Sequence, residues 1–410
     1  MHAGLLVIMG SGETAPTMVK PHREIFARVD GARAAVMLDT PYGFQENADD
    51  ISGRAVGYFA QSVGRTVDVV SWRTPPEPGL PRERVLAALR DAGWLFAGPG
   101  SPTYALRQWV GTEIPDVLAG VLAAGGVVLF ASAAALTLGS HVVPVYEIYK
   151  AGFAPCWEPG LDLVRAVTGM PAVVIPHFDN AEGGHHDTRF CYLGERRLAV
   201  LERELPDGTF ILGVDEHTAV LLDLGARTAR VIGNGLLTIR RRGAVRTYPA
   251  GSVVGFDELT TGEAGAAVVV EDRPAGPAVV ASSLGAATEA QVKRFDTALE
   301  ARDVDECVGA LLDLEQAMHD WLSDTDVNDE RDTARAALRR MAVRLGELAL
   351  VGARDPREAV APFVEALLDV RHQARAGKDY AMSDRIRDHL TGAGVEVRDT
   401  PDGVRWGLGG

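Results

Sequence analysis

Short apolar runs recur along the first 256 residues, alternating with stretches that have helical periodicity or glycine-rich turns. The runs have four to six residues and little polar alternation, which is typical of strands buried on both faces of a parallel sheet. They occupy residues 5–9, 34–39, 66–71, 94–97, 127–130 and 172–175. Helices are predicted between them, at residues 82–90, 104–110, 114–124 and 188–204. This order predicts an α/β fold with a doubly wound, mostly parallel sheet.

The pattern changes twice further along the chain. Strand-like runs joined by tight polar turns, at residues 210–214, 218–224 and 229–232, predict an antiparallel edge that closes a first domain, residues 1–258. Residues 259–288 are rich in Gly, Ala and Pro, which predicts a linker. Amphipathic helices are then predicted at 289–299, 304–322, 330–350 and 356–376, which together form an all-α helical domain, 289–376. Residues 377–410 predict a small α+β tail with a strand at 395–397.

The stretch from Gly125 to Gly139 has the order of a nucleophile elbow. The apolar strand at 127–130 is followed at once by small residues around Ser132, and then by an Ala/Leu segment that favours a helix. Such a turn presents the serine hydroxyl above the sheet edge, beside a helix N-terminus that favours negative charge. A core serine after a buried strand is the alternative interpretation.

A serine nucleophile needs a base, and the base needs a group that orients it. His177 directly follows the predicted strand at 172–175, so we expect it to reach the same sheet edge as Ser132. Glu147 is the first choice for the orienting acid, with Glu182 or Asp179 as the second, although a solvated surface glutamate is an equally simple interpretation of residue 147. The segment 177–187 is rich in His and acidic residues, but its spacing matches no zinc motif, and neither a metal nor a cofactor is expected.

Two further loops follow predicted strands and lead toward the same edge. The loop at 98–103 contains Gly100, whose backbone N–H is predicted to form an oxyanion hole together with the N–H of Ala133. A helix-capping turn is the alternative for this loop. Because ligands of open α/β sheets bind beyond the carboxyl ends of the strands, we predict that a group of polar side chains contacts the substrate: Gln45, Asn47, Ser101, Asp179 and Glu182.

Composition restricts the cellular setting and the partners. The 410 residues are 47% hydrophobic and 24% charged, as in ordinary globular proteins, and a net charge of −15 argues against a broad phosphate-binding surface. The three cysteines are far apart and predict free thiols in a reducing compartment. Neither a signal peptide nor a membrane-length apolar run is recognisable, so we expect a cytoplasmic protein without a membrane partner.

The first 256 or so residues resemble the serine hydrolase branch of the class I glutamine amidotransferase-like fold, which includes cyanophycinase and alpha-aspartyl dipeptidase (peptidase E). The resemblance rests on four motifs besides the Ser132 turn: Gly10-Ser11-Gly12-Glu13, Gly98-Pro99-Gly100-Ser101, Pro176-His177-Phe178 and Gly213-Val214-Asp215-Glu216-His217-Thr218-Ala219. It implies hydrolysis of amide bonds next to aspartyl groups, with Ser132 as nucleophile and His177 as base. Glu147 falls where the dipeptidase branch has its acidic member.

The turn around the serine departs from that family. Its usual form is Gly-x-Ser-Ala-Gly, whereas this chain has Phe130-Ala131-Ser132-Ala133-Ala134. A bulky Phe130 two residues before the serine can alter the turn. A catalytically impaired scaffold therefore stays open as the alternative to an active hydrolase.

The C-terminal part resembles a second family, cysteinyl-tRNA synthetase, over about the last 120 residues. The matching residues are Leu368-Asp369-Val370-Arg371, the run from Lys378 to Asp388, and Asp399-Thr400-Pro401-Asp402-Gly403-Val404-Arg405-Trp406. In the synthetase this region contacts tRNA, including the anticodon, whereas the nucleotide-binding catalytic domain has no counterpart here. Residues that suit phosphate contact or base stacking are Arg371, Arg375, Lys378, Arg385, Arg387 and Trp406. Interleaved aspartates make a solvated helix face the alternative.

Two functions are therefore expected from the sequence. The first is a serine peptidase or amidase that cleaves a small peptide or amide next to an acidic residue. The second is a hydrolase-fold scaffold that binds tRNA through its C-terminal region. The sequence does not decide between a monomer and a homodimer.

Overall fold

The computed structural model describes residues 4–29, 31–181, 186–262, 268–269, 283–321, 328–351, 356–400 and 403–408. The chain divides into two compact units. The first contains residues 1–284 and 318–329, and the second contains residues 285–317 and 330–410. No helix within the described residues combines the length and the apolar character that crossing a bilayer requires.

The first unit alternates strands and helices up to β8 and then continues mainly as strands. Its strands are β1 (Leu5–Met9), β2 (Ala35–Leu38), β3 (Asp68–Val70), β4 (Trp94–Ala97), β5 (Val127–Ala131), β6 (His141–Val142), β7 (Glu158–Pro159), β8 (Ala172–Ile175), β9 (Phe210–Val214), β10 (Thr218–Asp223), β11 (Thr228–Gly233), β12 (Leu236–Arg241), β13 (Ala244–Pro249), β14 (Ser252–Gly255) and β15 (Val268–Val269). Its helices are α1 (Val19–Phe26), α2 (Ala48–Tyr58), α3 (Leu80–Arg90), α4 (Pro102–Trp109), α5 (Ile114–Ala123), α6 (Ser132–Leu136), α7 (Val145–Tyr149), α8 (Leu163–Thr168), α9 (Gly194–Glu204) and α10 (Phe256–Thr261). Short 3-10 or π segments lie at Pro16–Met18, Thr40–Tyr42 and Phe59–Val63.

The main sheet has the strand order β15-β14-β11-β10-β1-β5-β4-β2-β3. The half from β1 to β3 is parallel, and β10, β11, β14 and β15 continue it as an antiparallel edge. Alternate residues of β1 enter different cores: Leu6 and Ile8 belong to one, whereas Leu5, Val7 and Met9 belong to the other. Because the centre of the sheet is covered on both faces, strands β1, β2, β4 and β5 consist of apolar residues. The predicted α/β fold is confirmed.

A second sheet was not anticipated from the sequence. Its strand order is β13-β12-β9-β8, so the predicted strand at 172–175 pairs with β9 rather than with the main sheet. Helix α6 brings this sheet close to the main one. A Cβ added at Gly139, shortly after α6, would lie 2.8 Å from the Cα of Val173 in β8. A glycine is therefore required for this close approach.

Several predicted boundaries differ from the observed elements by three residues or more. The linker predicted at 259–288 ends earlier than expected, because a helix already begins at Leu284. The helix predicted over 188–204 begins only at Gly194, because Phe190, Cys191 and Tyr192 all have left-handed backbone conformations, with φ between 55° and 64°. Helix α10 continues past the predicted domain boundary at residue 258. Most of the predicted linker, residues 263–267 and 270–282, lies outside the described residues.

The second unit consists mainly of helices, as predicted. They are α11 (Leu284–Glu300), α12 (Val304–Asp320), α13 (Asn328–Val351), α14 (Pro356–Ala376) and α15 (Tyr380–Gly392), and they are followed by the hairpin of β16 (Val395–Thr400) and β17 (Gly403–Leu408). Val364 of α14, Leu390 of α15 and Val395 of β16 form a small apolar core. The predicted strand at 395–397 is thus the start of a two-stranded hairpin.

Candidate active site

Ser132 lies at the junction of β5 and α6, in the sharp turn that the sequence predicts. Its φ is +48°, a strained value for a residue with a Cβ, and such strain is concentrated at functional sites. The flanking residues Ala131, Ala133 and Ala134 are small and buried. Phe130 is fully buried and packs against Trp109, with ring centroids 5.4 Å apart. The bulky residue therefore occupies the core beneath the turn.

His177 faces the serine. It follows β8 by two residues, and its φ of +47° is again left-handed. Its Nε2 atom lies 2.9 Å from Ser132 Oγ, within hydrogen-bond distance. The imidazole side chain is only 5% exposed, so little water competes for this contact. The two residues predicted as nucleophile and base thus lie together.

Glu216 contacts the other nitrogen of His177. It lies in the turn between β9 and β10, and its Oε1 atom is 2.8 Å from His177 Nδ1. With a carboxylate at Nδ1, the ring carries its proton there, which leaves Nε2 free to accept the proton of Ser132. Serine, imidazole and carboxylate form one continuous chain of hydrogen bonds.

The expectation that Glu147 orients His177 is wrong for this structure. Glu147 lies in α7, where its Oε2 accepts a hydrogen bond from Thr103 Oγ1 at 3.2 Å. The second choice, Asp179, accepts a hydrogen bond from the backbone N–H of Glu216 at 2.8 Å. Glu182 lies outside the described residues. A signal for Glu216 was present, since it sits in an Asp-Glu-His turn between two predicted strands.

The surroundings of Glu216 keep it ionised. Burial disfavours its charge, but hydrogen bonds from His177 and Asn180, together with the nearby histidines, outweigh burial and lower its pKa. The adjacent Asp215 differs. Burial, and then the charges of Asp179 and Glu216, raise the pKa of Asp215 to about 7. Neighbouring carboxyl groups whose pKa values are shifted in opposite directions, one raised and one lowered, are typical of functional sites.

A cleft of about 510 Å³ opens above Ser132. Its lining includes four residues that the sequence proposes as substrate-binding or oxyanion groups: Gln45, Asn47, Gly100 and Ala133. Ser101 does not have the predicted role: its Oγ caps α4 by accepting a hydrogen bond from the backbone N–H of Tyr104. Capping satisfies one of the free N–H groups at a helix start, so the alternative interpretation of this loop holds for its serine.

The Gly100 loop is fixed at its base. The φ of Gly100 is +137°, and a Cβ added there would lie 2.1 Å from the carbonyl oxygen of Pro41. The next residue, Ser101, donates its backbone N–H to that same carbonyl at 2.8 Å. The N–H of Ala133 belongs to the first turn of α6, where an α-helix has no internal acceptor. Both predicted oxyanion donors therefore border the cleft, and the close contact with Pro41 restricts the backbone at Gly100.

The basic residues predicted to contact tRNA have different surroundings in the second unit. Arg371 is 2% exposed and donates to both carboxylate oxygens of Asp399, at 2.8 and 2.9 Å, and Arg375 donates to the same carboxylate. Trp406 is partly buried against the small apolar core. Arg375 is exposed although it is paired with Asp399, and three further basic residues are exposed: Lys378, Arg385 and Arg387. Arg371 and Trp406 thus contribute to the fold, whereas the exposed Lys378, Arg385 and Arg387 remain candidates for phosphate contact.

Comparisons with known proteins support a different relationship for each part of the chain. A family model, the cysteinyl-tRNA ligase anticodon binding domain, matches residues 357–406. Among curated proteins, a cysteine–tRNA ligase of Cereibacter sphaeroides (strain ATCC 17029) is 61% identical over 46 residues, 11% of this chain and 10% of the ligase. That of Beutenbergia cavernae is 33% identical over 221 residues, 47% of this chain and 46% of the ligase. The chain thus spans less than half the length of these relatives.

The first unit has a structural relative. The solved structure of a peptidase from an acI-B1 Actinobacterium aligns with a TM-score of 0.51 and 19% identity, covering 62% of this chain and 98% of the peptidase. This similarity shows a shared fold. Together with the C-terminal match, it confirms the two-part resemblance predicted from the sequence.

Proposed function

We propose that the first unit is a serine hydrolase that cleaves a peptide or amide bond in a small substrate. The observation that carries the proposal is the hydrogen-bonded series Ser132–His177–Glu216, with contacts of 2.9 and 2.8 Å at the floor of a cleft. Nucleophile, base and orienting acid are the three roles that acyl transfer by serine requires.

The reaction follows from the positions of these groups. Ser132 Oγ attacks the substrate carbonyl while His177 Nε2 takes its proton, and Glu216 stabilises the imidazolium that forms. The N–H groups of Gly100 and Ala133 stabilise the oxyanion. His177 then protonates the departing amine, and a water molecule, activated by the same imidazole, releases the acyl group from Ser132.

The charge of the cleft supports an acidic substrate. Among the described residues that line it, Arg54 and Lys150 are cationic and none is a carboxylate. A negatively charged side chain or terminus would gain two attractive partners there. We propose that the scissile amide lies next to such a group.

Labelling with a fluorophosphonate probe tests the nucleophile. Ser132→Ala is expected to keep the fold and lose all labelling, because the probe forms a bond with the activated serine. Ser140→Ala is the matched control. Ser140 also contacts a histidine, His141, at 3.0 Å, but it lies outside the cleft, and its loss is expected to leave labelling unchanged. Equal labelling of wild type and Ser132→Ala would refute the proposal.

We propose, as a second function, that the C-terminal region binds tRNA. The match of residues 357–406 to an anticodon binding domain favours this function, and the exposed Lys378, Arg385 and Arg387 suit phosphate contact. If the first unit proves unreactive toward the probe, we propose that tRNA binding is the function of the chain and that the hydrolase fold serves as a scaffold.

Fluorescence anisotropy with the full chain tests tRNA binding. Cysteine tRNA is expected to bind more tightly than a second tRNA, and affinity should fall steeply with salt. Arg385→Ala is expected to weaken binding and to reduce the salt slope by about 1. Arg227→Ala, an exposed arginine of the first unit, is the control and should change neither. Binding that does not distinguish the tRNAs would contradict the proposal.

A further inference from the structure

The turn after β8 carries more than the proposed base. Residues His177 to Asn180 form a reverse turn in which the N–H of Asn180 donates to the carbonyl of His177 at 3.3 Å. Its Asp179 and Asn180 side chains both contact Glu216, the residue that accepts from His177. One short segment therefore touches the orienting acid at three points.

The contact from Asn180 reaches the same oxygen as the imidazole. Asn180 Nδ2 donates to Glu216 Oε1 at 3.0 Å, and His177 Nδ1 lies 2.8 Å from that atom. A carboxylate oxygen can accept two hydrogen bonds. If the amide oxygen of Asn180 took the position of its nitrogen, it would repel the carboxylate oxygen of Glu216. Asn180 is 1% exposed, so water cannot easily replace the donor.

The contact from Asp179 fixes the backbone of the same residue. Its Oδ1 accepts the N–H of Glu216 at 2.8 Å, and the N–H of Phe178 donates to the carbonyl of Val214 at 3.1 Å. These bonds join the two turns. They are needed because Glu216 lies between strands of different sheets, β9 and β10, where no ladder holds its backbone.

We infer that Asn180 and Asp179 are positioning residues that hold Glu216 in the orientation in which it accepts the proton of His177 Nδ1. The inference rests on the proposed triad for its catalytic meaning. Asn180 sets the carboxylate rotamer through a side-chain donor, and Asp179 sets the backbone through a side-chain acceptor.

The labelling test uses four variants of the full chain: Asn180→Ala, Asp179→Ala, Asp179→Asn and the control Asn234→Ala. Asn180→Ala and Asp179→Ala are expected to slow fluorophosphonate labelling about 10²-fold, since a misplaced group near the reacting atoms has effects of that order. Asp179→Asn should restore labelling to nearly the wild-type rate, because an amide oxygen accepts the same N–H. Asn234 is exposed, and its loss should have no effect.

A second readout does not depend on activity. The proton shared by His177 and Glu216 is expected to give a low-field ¹H NMR signal that disappears in His177→Ala. It should shift or broaden in Asn180→Ala and Asp179→Ala and persist in Asp179→Asn, with thermal unfolding confirming that each variant is folded. If wild type is unreactive toward the probe, the hydrolase proposal fails. The NMR signal still tests whether Asn180 and Asp179 position Glu216. A signal unchanged in Asn180→Ala and Asp179→Ala, or lost equally in Asp179→Asn, would overturn the inference.

Discussion

His177 Nδ1 lies 2.8 Å from Glu216 Oε1, and the pairing of two strands explains this contact. Strands β8 and β9 are parallel neighbours, with Ile175 opposite Gly213. Because parallel strands end at the same edge of a sheet, the residues that follow them are brought together. His177 lies two residues beyond β8, and Glu216 lies two residues beyond β9.

The first prediction separates Glu216 from Glu147. Glu216→Gln is expected to lower the labelling rate by roughly 10²–10⁴-fold, because an amide can stabilise the wrong tautomer and cannot stabilise the imidazolium. Glu147→Gln should stay close to wild type, since an amide oxygen can still accept from Thr103 Oγ1. Rates of fluorophosphonate labelling at a single pH give the comparison. A larger loss in Glu147→Gln than in Glu216→Gln would restore the sequence-based assignment.

The sequence was sufficient to predict those site residues whose position depends only on neighbouring residues in the chain. Ser132 could be predicted because a strand, small residues and a helix are contiguous, and His177 because it directly follows an apolar run. Glu216 required knowledge of which strands pair. In the sequence, β8 and β9 are separate apolar runs with a helix between them. Nothing in their local pattern indicates that these two strands pair with each other in a second sheet.

The same limit applies to the basic residues of the C-terminal region. Periodicity placed Arg371 on a helix, but an arginine that faces tRNA and one that faces an aspartate have the same local pattern. The partner of Arg371, Asp399, lies 28 residues further along the chain. Only the packing of α14 against β16 distinguishes the two roles.

The second prediction concerns pH and Asp215. Its pKa is raised to about 7 in the folded protein, compared with about 3.9 in an unfolded chain. Between these values the folded state binds more protons than the unfolded state, so the free energy of unfolding falls as pH rises from about 4 to 7. In the folded protein, Asp215 Oδ2 accepts the backbone N–H of Leu236 at 2.9 Å. Asp215→Asn removes the ionisation and retains an oxygen that can accept this bond.

Denaturant unfolding at several pH values measures the effect. Asp215→Asn is expected to exceed wild type in stability by roughly 1–2 kcal/mol at pH 8, with the difference shrinking toward pH 4. Asp207→Asn is the control, since its side chain is 92% exposed, and it should show no such trend. A stability difference that is constant with pH would contradict the raised pKa of Asp215.

The third prediction uses two glycines with opposite surroundings. Gly100→Ala is expected to reduce both stability and labelling, because its Cβ would collide with the carbonyl of Pro41 and its φ disfavours any side chain. Gly120 lies inside α5 with open space around its Cα, so Gly120→Ala should stabilise the protein by about 0.5–1 kcal/mol. Unfolding midpoints and labelling rates are compared for both. Wild-type labelling in Gly100→Ala would argue against a rigid oxyanion loop.

The last prediction separates fold from tRNA contact in the second unit. Hydrogen bonds from Arg371, joined by Arg375, overcome the opposing effect of burial and hold the pKa of Asp399 below its ordinary range. Arg371→Lys keeps the positive charge but cannot make both bonds, because an ammonium lacks the planar pair of donors. We expect it to weaken the attachment of β16 by about 1–2 kcal/mol.

Hydrogen exchange of the peptide 395–400 measures this attachment directly. Arg371→Lys should exchange faster there, whereas Arg385→Ala should exchange as wild type does. Fluorescence anisotropy with cysteine tRNA is measured at low temperature, where the hairpin of Arg371→Lys is still largely formed. There Arg385→Ala is expected to lose more affinity for the tRNA than Arg371→Lys does. If Arg371→Lys lowers tRNA affinity more strongly while exchange at 395–400 stays unchanged, then Arg371 contacts the nucleic acid and its bond to Asp399 is not its main role.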